Sequence, residues 1–210
     1  MTMAALTFEK ADHAYFLDGV RIPNVTKVTD ALSSYAGIPL EVLQRKAEIG
    51  DAVHFATELD DANDLDDSSL PEEIRGYVYA WRAFKSNTAF LSLVAERRVW
   101  SDRYKFAGTL DRIGVFGRLK GVKPTARCLI DIKTTYDLLP AVAPQLAAYQ
   151  VAWNERAPKD EQVHRRFACQ LKTDGSYRLE EFSDPTDWSV FLSVMTVEAF
   201  KKRHKLGVIA

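Results

Sequence analysis

The sequence has few cysteines and no long apolar run, and each shortage excludes a class of protein. Its two cysteines, Cys128 and Cys169, stand far apart and form no C-x-x-C pair. This spacing argues against a disulfide scaffold, a zinc site or an iron–sulfur cluster, and it fits a reducing compartment. No run reaches the roughly 18 apolar residues of a membrane span. The first residues have no basic start and no apolar signal core. We therefore expect a cytoplasmic protein with no membrane partner.

Net charge is nearly absent as well. The formal charge of −1 on 210 residues excludes a protein that binds its partner by bulk positive charge alone. An apolar share of 47% and a charged share of 27% are those of an ordinary globular chain. The length favours a single domain over residues 1–210. Within it we expect an N-terminal hairpin and helices (1–88), a core of strands (89–182) and a C-terminal helix (183–206).

The charge that is present is unevenly distributed. Eight acids and no base lie between Glu58 and Glu73, whereas ten bases and three acids lie between Arg97 and Lys133, a net of +7. A basic segment on a nearly neutral chain fits a polyanionic partner that contacts one face, but charge alone equally fits a solvated hairpin. The basic run over 201–205 is typical of a helix C-terminus, where the helix dipole favours cations.

Apolar periodicity predicts a mixed α/β fold. Short alternating runs predict a hairpin over 7–9 and 14–22 and strands over 91–100, 106–116, 126–134, 163–171 and 177–182. Helical spacing predicts helices from residue 24 or 26 to 35, over 39–59, from 71, from 140 or 144 to 153, and from 184. We interpret the acidic stretch 60–69 as a loop. This order predicts a mixed sheet with helices packed on it.

Two acids and a lysine fall on neighbouring predicted strands. Asp131 and Lys133 are two residues apart, so both side chains point to one face of the strand, and Ile130 and Ile132 point into the core. If this strand pairs with the preceding one, Asp111 lies near Asp131. Two adjacent carboxylates repel unless a proton or a cation lies between them. A hard divalent cation is one solution, although D-x-K alone also fits an exposed ion pair.

Three further groups have suggestive spacing. Gly50 precedes His54 by one helical turn, and Gln145 precedes Tyr149 by one turn. A neutral imidazole can bind a metal, and Gln and Tyr offer hydrogen bonds to a phosphate or a water, but each is also an ordinary helix residue. Gly108 is expected where the chain approaches another group closely.

The order of these pieces resembles a known family of enzymes. G-x-x-x-H (50–54), Glu96, G-x-x-D (108–111), D-x-K (131–133) and Q-x-x-x-Y (145–149) follow one another along the chain. This order resembles the PD-(D/E)XK nucleases, and within them the RecB-like exonuclease branch, which includes lambda-type phage exonucleases and CRISPR adaptation nucleases. The resemblance runs from about Phe8 to near Leu171. The opening Y-x-L-D-G (15–19) and I-P-N-V-T (22–26) resembles phage-encoded members.

The resemblance implies a fold and a set of site residues. The fold is a restriction-endonuclease-like core of the α/β (α+β) class, with a central mixed β-sheet flanked by helices. The implied metal ligands are His54, Asp111, Asp131 and the carbonyl of Ile132, with Glu96 as a further metal-binding or supporting acid. Lys133 would orient the attacking water, supported by Gln145 and Tyr149. The chain departs from the family pattern at Leu110, where proline is common.

The resemblance also implies a function. We expect a DNA nuclease that requires Mg²⁺ or Mn²⁺ and has no iron–sulfur cluster, most simply an exonuclease of phage or bacterial recombination or repair. DNA is the expected partner, together with a recombination protein such as a single-strand annealing protein. An endonuclease of restriction type and a binding module with weak or no catalysis are the alternatives. The expected DNA-binding residues are Arg97, Arg98, Arg103, Lys105, Arg112, Arg118, Lys120 and Lys123.

Overall fold

The computed structural model describes residues 5–33 and 37–206. The strands are β1 (Leu6–Glu9), β2 (Ala14–Leu17), β3 (Val20–Ile22), β4 (Phe90–Ser101), β5 (Phe106–Phe116), β6 (Cys128–Lys133), β7 (Arg165–Leu171) and β8 (Tyr177–Phe182). The helices are α1 (Val25–Thr29), α2 (Leu40–Asp61), α3 (Glu72–Thr88), α4 (Val142–Asn154) and α5 (Asp187–His204). The predicted end of the first helix near Tyr35 lies outside the described residues.

The central sheet has the strand order β4-β5-β6-β7-β8. All neighbouring pairs are antiparallel except β6 and β7, which are parallel. Parallel neighbours need a crossover connection, and α4 supplies it. Strands β1 to β3 form a separate small sheet. The predicted mixed sheet flanked by helices is therefore confirmed.

Helices cover both faces of the central sheet, so its strands are buried on two sides. On one face, Val53 of α2 and Trp81 of α3 pack with Ile130 and Ile132, as predicted for these two isoleucines. On the other face, residues of α1, α4 and α5 pack with Leu129 and its neighbours. None of the described helices has the length and apolarity needed to cross a lipid bilayer.

The pairing of β5 with β6 stops partway along both strands. The register joins Gly114 with Cys128 and Arg112 with Ile130, and no further pair of described residues continues it. Asp111 and Asp131 are the next residues along each strand. The two strands therefore separate where the predicted acids lie, and the gap between them is filled by side chains.

Arg112 is not a DNA-binding residue, and that sequence-based expectation is wrong. Its side chain is fully buried. Its guanidinium donates to Asp61 (2.7 Å), to Glu96 (2.8 Å) and to Thr57 (3.1 Å). A buried guanidinium whose donors are bound to carboxylates ties helix α2 to strands β4 and β5 and cannot reach a phosphate on the surface.

The acidic run begins in a helix and not in a loop, since α2 continues through Asp61. Asp60 accepts from Arg82 (2.6 Å) and Lys85 (2.7 Å), and Asp61 pairs with Lys85 and Arg112. These acids therefore fix α2 against α3 and the sheet. The predicted loop starts only after Asp61.

The other expected DNA-binding residues are distributed over two ends of the central sheet. Arg103 and Lys105 lie in the turn between β4 and β5, whereas Arg118, Lys120 and Lys123 lie between β5 and β6, next to the start of β6. Arg97 and Arg98 are exposed on β4. Except for Arg112, these residues stay predictions, but they do not form one continuous track.

We predict that Arg112→Leu lowers the free energy of unfolding by about 3–5 kcal/mol, because it leaves the carboxylates of Asp61 and Glu96 without their buried partner. Arg97→Leu, on an exposed position of β4, is the matched control and should change stability by no more than about 0.5 kcal/mol. Urea denaturation of both variants measures the effect. Equal stability of the two variants would show that the buried network contributes nothing.

Candidate active site

Five elements bring the predicted site residues together beside the gap between β5 and β6. Helix α2 supplies His54, strand β4 supplies Glu96 and strand β5 supplies Asp111. Strand β6 supplies Asp131 and Lys133, and helix α4 supplies Gln145 and Tyr149. The contacts described below join all seven in one connected cluster.

Asp111 bridges the gap between the separated strands. Its Oδ2 accepts a hydrogen bond of 2.6 Å from the backbone N–H of Ile132, so the carboxylate takes the place of a missing ladder bond. Its Oδ1 lies 3.7 Å from Nδ1 of His54. The residue is only 8% exposed. Asp111 is thus held at a defined position with one oxygen directed toward the helix side of the site.

Asp131 is buried and paired with a lysine. The residue is 2% exposed, and Nζ of Lys133 lies 2.8 Å from its Oδ2. A buried carboxylate needs a positive partner, and this ammonium supplies one. The described part of the chain gives the same oxygen no further hydrogen bond. Its remaining lone pair can therefore bind a ligand such as a cation.

His54, Glu96 and Asp111 form a second potential ligand set next to the first. One ligand atom from each lies within 4.8 Å of the others. Nδ1 of His54 is 3.2 Å from Oε1 of Glu96. An imidazole nitrogen with two carboxylates suits a divalent metal ion. The predicted metal role of His54 and the supporting role of Glu96 are therefore both sterically possible.

The backbone of Glu96 is left-handed, with φ of 44° in the middle of β4. The register pairs Ala95 with Arg112 and Arg97 with Leu110, so Glu96 faces Asp111 across the two strands. A non-glycine residue in this conformation costs free energy and persists only where the surrounding structure holds it. In this backbone conformation the carboxylate of Glu96 reaches both His54 and Arg112.

Burial and mutual charge shift the pKa values of the cluster. Burial raises the pKa of Asp111 to about 7, aided by the charge of Asp131 and opposed by His54. Burial by itself disfavours protonated His54, but Asp111 and Glu96 outweigh it and raise the pKa of His54 to about 9. Burial likewise opposes ionisation of Glu96, but its bond to His54 and the charge of Arg112 lower its pKa. Without a metal, the cluster therefore retains protons that a divalent cation would displace.

A series of hydrogen-bonded side chains from α4 and α1 holds Lys133 in position. Nζ of Lys133 donates to Oε1 of Gln145 (3.0 Å), and Nε2 of Gln145 donates to the Tyr149 hydroxyl (3.3 Å). The hydroxyl of Thr26 lies 3.5 Å from that of Tyr149. A Cβ at Gly108 would lie 2.6 Å from Cε1 of Tyr149, so the predicted close approach at this glycine is real. The one-turn spacing of Gln145 and Tyr149 thus positions the lysine.

The sequence reasoning missed two residues that hold the site. Asp61 and Thr57 both bind Arg112, which in turn orients Glu96. Their spacing could have revealed them, because Thr57 follows His54 by three positions and Asp61 follows it by seven, so both share its helix face. Interpreting Asp61 as part of a loop hid this spacing. The Ile132 carbonyl stays a prediction, since the contact that the structure gives Ile132 in the site is through its N–H.

Comparison with known proteins gives distant structural similarities only. No protein-family model matches the chain, and neither does any curated protein. The crystal structure of SSO0001 is 14% identical with a TM-score of 0.40, covering 84% of this chain and 74% of that one. An alkaline exonuclease, LHK-Exo from Laribacter hongkongensis, is 13% identical with a TM-score of 0.38, covering 89% of this chain and 94% of its own. Similarities this low carry no argument about function, which has to come from the site.

We predict that ionisation of Asp111 destabilises the metal-free protein. Its pKa rises on folding from 3.8 to about 7, so the folded state binds the proton more tightly and loses stability as the pH rises through this interval. Melting temperatures in EDTA from pH 5 to 7.5 test this for the wild type and Asp111→Asn, which cannot ionise. The melting temperature of the wild type relative to that of the variant should fall with rising pH. A constant difference would contradict the burial of an ionisable Asp111.

Proposed function

We propose that the protein is a divalent-metal-dependent nuclease that hydrolyses phosphodiester bonds in DNA. The observation that carries this proposal is the pair of buried acids Asp111 and Asp131, with Lys133 paired to Asp131 and the potential ligand set of His54, Glu96 and Asp111 beside it. A cluster of buried carboxylates is costly in a purely structural role. It is what a cation site requires.

Mg²⁺ or Mn²⁺ fits the donors that the chain provides. Asp111 and Asp131 offer carboxylate oxygens, which hard divalent cations prefer, and His54 and Glu96 extend the set. When bound, such a cation supplies Lewis acidity toward a phosphate oxygen and lowers the pKa of a water. We propose Asp111 and Asp131 as the principal ligands, with the Ile132 carbonyl as a backbone ligand.

Lys133 is the group that would orient the attacking water. Its ammonium lies on the same strand face as Asp131, and the amide oxygen of Gln145 fixes it from the other side. An ammonium held at a fixed position can donate to a nucleophile and stabilise its negative charge. Gln145 and Tyr149 keep that donor in place and thereby preorganise the site.

The finer assignments rest on the order of the motifs along the chain. G-x-x-x-H, G-x-x-D, D-x-K and Q-x-x-x-Y resemble RecB-like nucleases, from which we infer an exonuclease that acts on DNA in phage or bacterial recombination or repair. A single-strand annealing protein is the partner that this role would require. A purely binding module on the same fold would need neither the lysine nor the second carboxylate, and for that reason we prefer the enzyme.

We expect the protein to degrade end-labelled linear DNA in Mg²⁺ or Mn²⁺ and to be inactive in EDTA. An exonuclease leaves covalently closed circular DNA intact, because it needs an end, whereas an endonuclease of restriction type converts the circle to linear forms. Gel analysis of both substrates separates the two. No hydrolysis of any DNA in either metal would refute the nuclease assignment and favour the binding module.

Lys133→Ala should reduce the cleavage rate by about 10²–10⁴-fold, the range typical of a proton-transfer or nucleophile-orienting group. DNA affinity in Ca²⁺, which suppresses turnover, should be unchanged because the metal ligands remain. Lys159→Ala, an exposed lysine in the turn before β7, is the control and should cleave at the wild-type rate. A melting curve confirms that both variants are folded. Equal rates for Lys133→Ala and the wild type would exclude this role for the lysine.

A further inference from the structure

A large groove lies between the N-terminal sheet with α1 on one side and α5 on the other. Its volume is about 820 Å³. Basic groups from both sides line it: Arg21, Lys27, Lys202 and Arg203. Glu198 is the single acid among the described lining residues. The groove therefore faces solvent with a strong excess of positive charge.

The positive charge of the groove is not neutralised within the protein. Arg21, Lys27, Lys202 and Arg203 have no carboxylate of the described residues within ion-pair distance. Lys27 donates to the backbone carbonyl of Asp12 (2.8 Å), a group with no formal charge. The one lining acid, Glu198, is paired with Lys201 at 2.8 Å. The field in the groove therefore attracts an anion with several charges.

The walls of the groove also contain apolar surface. Ile22, Val28, Met195 and Ala199 lie between the basic groups. A duplex presents mainly phosphates to a protein surface, whereas a single strand also presents sugars and unstacked bases, whose faces stack on rings such as that of His13 in this groove. The combination of basic and apolar lining favours a single strand over a duplex.

Helix α1 connects this groove to the candidate active site. Lys27 and Val28 line the groove, and Thr26 of the same helix contacts Tyr149, which supports Lys133 through Gln145. Helix α1 therefore takes part both in the groove and in the support of Lys133, which places the groove beside the site.

We propose that this groove binds a single-stranded segment of the substrate adjacent to the scissile phosphate. The inference rests on the proposed nuclease function and assigns its strand-binding surface. The basic run over 201–205 does lie at the C-terminus of α5, as predicted, and two of its members, Lys202 and Arg203, also line the groove.

The test compares two double variants that remove the same charge. Lys202→Gln/Arg203→Gln alters the groove, and Lys159→Gln/Lys172→Gln, the connection variant, alters two exposed lysines in the connections before and after β7. Arg21→Gln, from the opposite wall, is a second groove variant in case the first one is unstable. Each is assayed for binding of fluorescent oligothymidylate and of a duplex in Ca²⁺ across a salt series. Hydrolysis of bis-p-nitrophenyl phosphate in Mn²⁺ serves as a probe that does not fill the groove.

We expect the groove double variant to bind oligothymidylate about 10- to 30-fold more weakly at 0.1 M salt, with the salt slope reduced by about 1.4 for two lost phosphate contacts. Its loss on duplex should be smaller, and its hydrolysis of the small diester should equal that of the wild type. The connection variant should bind oligothymidylate as the wild type does.

The proposal is overturned if the groove variants keep the wild-type slope, if the connection variant loses as much affinity, or if duplex binding falls as much as single-strand binding. Failure of the nuclease function looks different. In that case the wild type hydrolyses neither DNA nor the small diester, while the binding comparison still decides whether the groove holds a strand.

Discussion

The separation of β5 from β6 places two buried carboxylates, Asp111 and Asp131, in one gap, and their repulsion is the constraint on which the surrounding structure depends. Like charges this close require a proton, a hydrogen-bond donor or a cation between them. The chain supplies the N–H of Ile132 to one and the ammonium of Lys133 to the other. Apart from that ammonium, Oδ2 of Asp131 has no hydrogen-bond partner among the described residues. Two buried carboxylates beside a single lysine make the site a receptor for positive charge.

The neighbouring elements act as rigid supports for this arrangement. On one face of the sheet, buried Arg112 holds Glu96 in position and is itself held by Asp61 at the end of α2. On the other face, Gln145 fixes Lys133, and Tyr149 links that pair to α1. Sites built on helices and strands keep their geometry better than sites built on loops. The geometry of the site therefore depends on the buried ionic network around Arg112.

Local spacing made much of the site predictable, and long-range packing hid the rest. The two-residue spacing of Asp131 and Lys133 and the one-turn spacing of Gln145 and Tyr149 indicate shared faces from sequence alone, and both pairs do share a face. Arg112 shows the limit. Strand β5 is buried on both faces, so a basic residue in it carries no sign of whether it contacts solvent or a carboxylate. The groove was hidden for a similar reason, since only the packing of α5 against α1 forms it.

The most direct test of the central claim is a crystal structure of the protein soaked in Mn²⁺, with the metal located by anomalous scattering. The account predicts a metal ion bound by carboxylate oxygens of both Asp111 and Asp131 at about 2.1–2.2 Å, with Oδ2 of Asp131, which is paired with Lys133 in the metal-free protein, among the ligands. Absence of the ion at saturating Mn²⁺ would contradict it. So would an ion held by His54 and Glu96 alone, with Asp131 still paired to Lys133.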